Sequence, residues 1–306
     1  MSSQPGSRYL LISPCRDEAA YMRQTLDTVI AQSIRPAKWV IVDDGSSDDT
    51  PRILAAYAAQ HDWIHVVTRR DRGLRSVGPG VIEAFYAGYQ VINPDDYDFL
   101  CKLDLDLRLA PRYFELLMQR MADNPNIATC SGKAYIEKGG QMVFEGHGDE
   151  TSLGMTKFYR VSCFKAIGGF VREVMWDGID CHCCRMKGWI ACSWDEPELR
   201  FVHLRPEGSS QRSVYTGRMR HGYGQYFMGT GFLYMLASAV YRMNEKPYVL
   251  GSLLTLWGWL KSAWLRKPRY DNPEFRKFLR RYQWRALLVG KQRAVDEIHR
   301  ERGAAP

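Results

Sequence analysis

The segment Lys102-Leu-Asp104-Leu-Asp106 sets two carboxylates two residues apart. That spacing lets both converge on one hard cation while the cation also holds the oxygens of a diphosphate, and Mg²⁺ or Mn²⁺ suits such an oxygen set. Two aspartates on the polar face of a strand give the same string, so the pair needs company. An earlier acidic run, Asp43-Asp44-Gly45-Ser46-Ser47, supplies it. The Asp43 carboxylate can accept a hydrogen bond from a pyrimidine N–H, with Asp44 beside it. Asp17 and Glu18 can contact a base or ribose, or simply sit where a helix N-terminus favours acids. Arg69, Arg70, Arg72 and Arg75 crowd the approach to a loop from Gly73 to Gly80, where guanidinium forks and close backbone approach suit ribose or phosphate.

His203, inside Phe201-Val-His-Leu204, is either a third metal ligand, its imidazole favouring Mn²⁺ over Mg²⁺, or a histidine built into a strand. Gln211, Arg212, Arg218, Arg220 and His221 follow in a Gly- and Ser-rich stretch able to close over a departing diphosphate. Cys181-His-Cys-Cys184 does not read as a zinc site, because consecutive residues of one helix point in different directions.

The elements that must position these residues follow a simple alternation. Tyr9 to Ser13, Trp39 to Val42, Trp63 to Val67 and Asp98 to Leu103 read as strands. Between them lie helical patterns: Met22, Leu26, Val29 and Ile30, a run after Pro51, and another from Val81 to Ile92. This predicts an α/β class with βαβ units and a mainly parallel, Rossmann-like sheet flanked by helices over about residues 8–125, then a mixed pattern to about 205. Ligands of open parallel sheets bind beyond the carboxyl ends of the strands, where both acidic clusters stand.

Together these strings resemble the family-2 nucleotide-sugar glycosyltransferases of the GT-A fold. Ser13-Pro14-Cys15-Arg16-Asp17-Glu18 and Val42-Asp-Asp-Gly-Ser-Ser47 match that family in order and spacing. Lys102-Leu-Asp-Leu-Asp106 is similar to its metal motif, and Trp176-Asp177-Gly-Ile-Asp180 through Gly188-Trp189 to its acceptor-side motif. The resemblance spans about residues 8–210 and implies an inverting, metal-dependent transfer of a hexosyl group from a nucleotide-sugar, most often UDP-linked, to an acceptor hydroxyl. It places Pro14, Asp17, Glu18, Asp43, Asp44, Arg72, Gly73, Lys102, Asp104 and Arg212 toward the donor, and Mn²⁺ or Mg²⁺ on Asp104, Asp106 and His203. Single displacement needs a base for the acceptor proton. Counting back from Gly188 aligns Asp177 with the family's base, with Asp180 the alternative; Trp176 stands where the family usually has an acid.

The 306 residues are 45% hydrophobic and 25% charged, which excludes a disordered chain. Residues 1–260 hold 29 Lys+Arg against 29 Asp+Glu, whereas residues 261–306 hold 13 against 5, so the whole net charge of +8 lies in the tail. An anionic partner is expected there. Just upstream, Gly231 to Tyr241 and Tyr248 to Leu260 are apolar but short for a bilayer span. With Trp257, Trp259 and Trp264 beside Lys261, Arg266, Lys267 and Arg269, they predict peripheral contact with an anionic membrane, or else two packed core helices. The aromatics are not interleaved as stacking platforms, so no nucleic acid is expected.

The opening residues lack a signal pattern and the cysteines lack a disulfide spacing, which predicts a cytoplasmic protein held at the inner face of the cell membrane. The expected division is a catalytic domain over 1–225 with a helical, basic C-terminal appendage over 226–306. A membrane-docked tail would suit a glycan or polyprenyl-linked acceptor, as in surface polysaccharide assembly. Two rivals stay open: a nucleotidyltransferase, which would release pyrophosphate, and a catalytically idle membrane adaptor, suggested by Trp176.

Overall fold

A computed structural model describes residues 7–71, 73, 78–205, 214–244 and 247–303. The chain runs β1 (Tyr9–Cys15), α1 (Met22–Ile30), β2 (Lys38–Asp43), α2 (Thr50–Gln60), β3 (Ile64–Thr68), α3 (Pro79–Tyr89), β4 (Phe99–Leu103), β5 (Leu107–Arg108) and α4 (Tyr113–Asp123). It continues through β6 (Ile127–Ser131), β7 (Lys133–Lys138), β8 (Gln141–Phe144), β9 (Thr156–Arg160), α5 (Val161–Ala166), α6 (Trp176–Met186), β10 (Ile190–Ser193) and β11 (Arg200–His203). Five helices close it: α7 (Val214–Met228), α8 (Phe232–Tyr241), α9 (Tyr248–Trp264), α10 (Pro273–Val289) and α11 (Lys291–Glu301).

The main sheet has seven strands in the order β3-β2-β1-β4-β9-β6-β10, all parallel except β9, which runs antiparallel to both neighbours. Every residue of β1 is buried, as a central strand covered on both faces requires. Its alternation sends Tyr9 and Leu11 toward α1, α2 and α4, and Leu10 and Ile12 toward α3 and α5. In β2, Trp39 and Ile41 face the first layer and Val40 and Val42 the second. Trp39 is fully buried and its indole N–H donates to Ser13 Oγ at 2.9 Å, so its one polar atom is satisfied.

A second sheet, β5-β11-β7-β8, carries His203 at the end of its inner strand β11. The link from β6 to β7 crosses the Leu199 carbonyl so closely that a Cβ at Gly132 would lie 1.6 Å from its oxygen, which only glycine tolerates.

The C-terminal helices bind the rest of the fold in two ways. α10 and α11 cover α6, with Phe275, Leu279, Val295 and Ile298 around Ile179. α7 and α9 cross in close contact: a Cβ at Gly222 would lie 2.0 Å from the Thr255 oxygen, and one at Gly258 2.2 Å from that of Met219. Position 225, the boundary expected from the sequence, falls inside α7.

α9 inverts the usual arrangement. Its buried stripe is mostly small and polar, with Gly251, Ser252, Thr255, Gly258 and Ser262, while Leu250, Leu253, Trp257, Leu260 and Trp264 lie exposed; Trp259, grouped with the other two tryptophans in the sequence, is instead buried, its indole N–H donating to the Thr230 carbonyl at 3.2 Å. The two apolar stretches therefore pack through one face only. Among the described residues, no helix is long and apolar enough to cross a membrane.

Candidate active site

A cleft of about 1140 Å³ opens along the carboxyl ends of β1, β2 and β4 and continues past the start of α6 into the C-terminal helices. Pro14, Arg16, Glu18, Asp44, Lys102, Asp104, Asp106, Asp177, His203 and Arg205 all line it. The chain leaves β1, β2 and β4 into this one space, which is why residues so distant in sequence meet there.

At the β1–β2 end, Asp44 pairs with Arg69 at 2.8 Å, and Arg16 donates to the Asp44 carbonyl at 2.8 Å and to Asp71 at 2.7 Å. Three residues expected to face the donor do not line the cleft, because each is used locally. Asp43 is 1% exposed and its Oδ1 accepts the Ser46 N–H at 3.0 Å, closing the turn after β2. Asp17, with φ of 53°, accepts the Ser47 N–H at 2.7 Å and ties two loops together. Gly73 donates its N–H to Asp71 at 2.8 Å. Arg72, Arg75, Gln211 and Arg212 lie outside the described residues.

After β4, Lys102 reaches Asp104 Oδ1 at 2.5 Å and the Gly154 carbonyl at 2.9 Å. Burial pushes the Asp104 carboxyl above its ordinary range, with the Asp106 charge adding and Lys102 opposing. Burial acts on Asp106 too, but hydrogen bonds and charge from His203 and Arg205 outweigh it and hold this carboxyl low. Arg205 spans Asp106, at 3.1 Å, and Glu18. His203 Nδ1 lies 3.0 Å from Glu145, and its Nε2 is 3.7 Å from Asp106. Burial pulls this imidazole down, yet its two carboxylate partners lift it to about 10.

Among the described residues, no three His, Cys, Asp or Glu side chains converge as a ready metal-ligand set. The chemistry of Asp104 and Asp106 still fits a hard cation: two carboxylates of the cleft wall are neutralised by the ammonium of Lys102 and the guanidinium of Arg205. His203 would first have to give up its proton.

Asp177 stands in the first turn of α6, and a Cβ at Gly154 would lie 2.9 Å from its Oδ2, so that glycine leaves the carboxylate room. The helix start is pinned by Met175 in a left-handed conformation, with φ of 62°, and by Lys157, which donates to the Asp177 carbonyl. Asp180 is turned away. It is 1% exposed, pairs with Lys157 at 2.6 Å, accepts the Tyr159 hydroxyl, and does not line the cleft. Its expected role as the alternative base gives way to a structural one. Trp176, in place of the family's usual acid, lines the cleft and offers its ring face to Lys102 at 5.3 Å and Lys157 at 5.6 Å.

Sequence reasoning missed Arg16, Glu145, Lys157 and Arg205. Arg16 and Arg205 stand next to chosen residues and could have been found by treating each strand end as a whole. Glu145 and Lys157 carry no local signal, since only the pairing of distant strands brings them in.

Residues 11–183 match the family model described as Glycosyl transferase family 2. EpsH of Bacillus subtilis (strain 168), a protein named as a glycosyltransferase, is 26% identical over 123 residues, which are 40% of this chain and 33% of that protein. The chain thus spans about a third of the length of that curated relative. Among solved structures, GalNAc-T7 with UDP, GalNAc and Mn²⁺ superposes with a TM-score of 0.64 at 13% identity, covering 96% of this chain and 58% of that one. TarS 1–349 of Staphylococcus aureus in complex with UDP-GlcNAc superposes at 0.52 with 14% identity, covering 96% and 90%. The architecture is the expected GT-A fold, and with more than half of its length matched, the chain belongs to glycosyl transferase family 2.

Proposed function

We propose that this chain transfers a hexosyl group, with inversion, from a UDP-sugar to an acceptor hydroxyl. The observation that carries the reading is a single cleft uniting the ends of β1 and β2, the Asp104–Asp106 pair and Asp177. Arg16 and Asp44 would hold the nucleoside end, and Lys102 holds Asp104 in place. Asp177, given room by Gly154 and fixed by the start of α6, would take the acceptor proton as its oxygen attacks the anomeric carbon. Mn²⁺ or Mg²⁺ on Asp104 and Asp106 would neutralise the diphosphate as it leaves.

The inverted face of α9 supports a peripheral membrane position, with Trp257 and Trp264 at the surface near Lys261, Arg266 and Lys267. A polyprenyl-linked or other membrane-borne glycan acceptor fits that position.

The test is calorimetric titration of UDP and GDP, with and without Mn²⁺, into wild type, Asp104→Asn and Asp177→Asn, alongside transfer assays. Metal-dependent UDP binding should be lost in Asp104→Asn. Asp177→Asn should keep it while the rate falls roughly 10²- to 10⁴-fold, the usual worth of a positioned base. UDP binding untouched by Asp104→Asn, or full turnover without Asp177, would overturn these roles.

A further inference from the structure

The cleft does not end at Asp177. Asp177, Cys181 and Arg185 stand at i, i+4 and i+8 on α6 and all line it, so it runs about 12 Å along that helix, away from the strand ends. Beyond Asp177 its walls are cationic. The chain after residue 213 contributes Arg218, Arg220, Arg242 and Lys291 to the lining and, among the described residues, no carboxylate. Among the described residues, the acids along this stretch are Glu150, whose carbonyl accepts from Arg185, and Asp177 at its entrance.

Arg185, on α6, forms part of that wall. It is 1% exposed, yet its hydrogen bonds go to neutral acceptors: the Glu150 carbonyl, and His182 Nδ1 at 3.2 Å. Its buried Nε has no partner among the described residues. A guanidinium taken out of water without an anion is costly unless a ligand completes it. Burial drives the His221 imidazole down to about 3, and the charges of Arg242, Arg218, Arg220 and Lys291 add to it, which places these four cations around one ring. Burial also lowers Arg220, the Asp177 charge opposing it. α8 joins this compartment to the outside: Tyr234 and Ser238 line it, while Leu233, Leu236 and Val240 are exposed.

We infer that this inner compartment binds a negatively charged group of the acceptor, a phosphate or a sugar carboxylate, and so selects anionic acceptors. The inference rests on the reading of Asp177 as the acceptor-side base. An anion seated among Arg185, Arg220 and Lys291 would hold the acceptor along α6 with its hydroxyl turned back toward Asp177. The donor diphosphate, on this view, stays at the strand ends and does not compete for the compartment.

The experiment titrates three probes into the full chain, with and without saturating UDP and Mg²⁺: methyl phosphate, methyl glucuronide and neutral methyl glucoside. It uses wild type, Arg220→Gln, Arg220→Lys, Lys291→Gln and, as a charge control on α2, Arg52→Gln. At least one anion should bind with UDP present and the glucoside should not. Binding should weaken roughly tenfold or more in Arg220→Gln and by less in Lys291→Gln, the scale of a charge-assisted hydrogen bond, with partial recovery in Arg220→Lys and none lost in Arg52→Gln. Methyl phosphate alone would assign a phosphate-bearing acceptor, and methyl glucuronide alone an acidic sugar. The inference falls if neither anion binds, if the glucoside binds equally, if Arg220→Gln and Lys291→Gln change nothing, or if UDP displaces the anion. UDP binding is read in the same samples, so its failure would count against the donor reading while the nucleotide-free titrations still judge the compartment.

Discussion

The central sheet and α9 bury largely different kinds of residue. β1 and β2 put Leu, Ile, Val and Trp inside on both faces, whereas α9 buries glycine, serine and threonine around a single large anchor, Trp259, and leaves Leu250, Leu253, Trp257, Leu260 and Trp264 outward. The sheet is arranged for water, and the outward leucines of α9 are what the proposed membrane position draws on. On that proposal the difference separates two tasks: the strand ends carry groups suited to the chemistry, while the outer helices would set where the molecule sits.

The sharpest way to break this contrast is to remove one tryptophan from each region. Trp39→Ala, emptying a fully buried site, should cost about 3–5 kcal/mol of stability, whereas Trp257→Ala, at 51% exposed, should change it by less than about 0.5 kcal/mol. Denaturant midpoints check both, and equal losses would mean that α9 is core. A smaller effect should separate the regions by binding. Leu253→Asp should weaken sedimentation with vesicles of phosphatidylglycerol and phosphatidylcholine roughly 10- to 100-fold, the worth of one buried leucine, without moving UDP affinity. Vesicle binding unchanged by this substitution, or absent in wild type, would remove the membrane assignment.

The smallest expected effect concerns pH. Burial, aided by neighbouring arginines, holds His182 and His221 below the ordinary imidazole range. The unfolded chain therefore takes up protons first as pH falls, so their contribution is complete above about pH 6.5 and is lost progressively toward about 3. Unfolding midpoints at pH 7.5 and 5 should drop on acidification, and His221→Gln should flatten the drop. A steeper slope in that variant would contradict the sign.

Much of this was legible in the chain. The alternation from Tyr9 to Leu103 announced the parallel sheet, because each strand is short, apolar and followed by turn residues at the carboxyl end. The pairs Asp43-Asp44 and Asp104/Asp106 marked those ends, although only the fold shows that Asp44 lines the cleft and Asp43 closes a turn. Asp177 and Asp180 lie three residues apart on one helix, and the count back from Gly188 favoured Asp177 without showing what occupies Asp180. Lys157 and Tyr159, carried on the antiparallel β9, hold Asp180 in a buried pair, which supports the proposal of Asp177. The apolar stretches near the end of the chain were visible too. Their inversion could be found in the glycine, serine and threonine at 251, 255, 258 and 262, a stripe that spaces like a helix face.

The packing of α10 and α11 over α6 carries a consequence for how the protein is made. Synthesis proceeds at roughly 5–20 residues per second, so the helix bearing Asp177 leaves the ribosome on the order of ten seconds before Val295 and Ile298 arrive to cover Ile179. During that interval the nascent chain has its strand-end acids and Asp177 but an uncovered apolar flank. A quality-control factor surveying newborn chains would meet that flank first, and a ribosome stalled in α10 would leave it open.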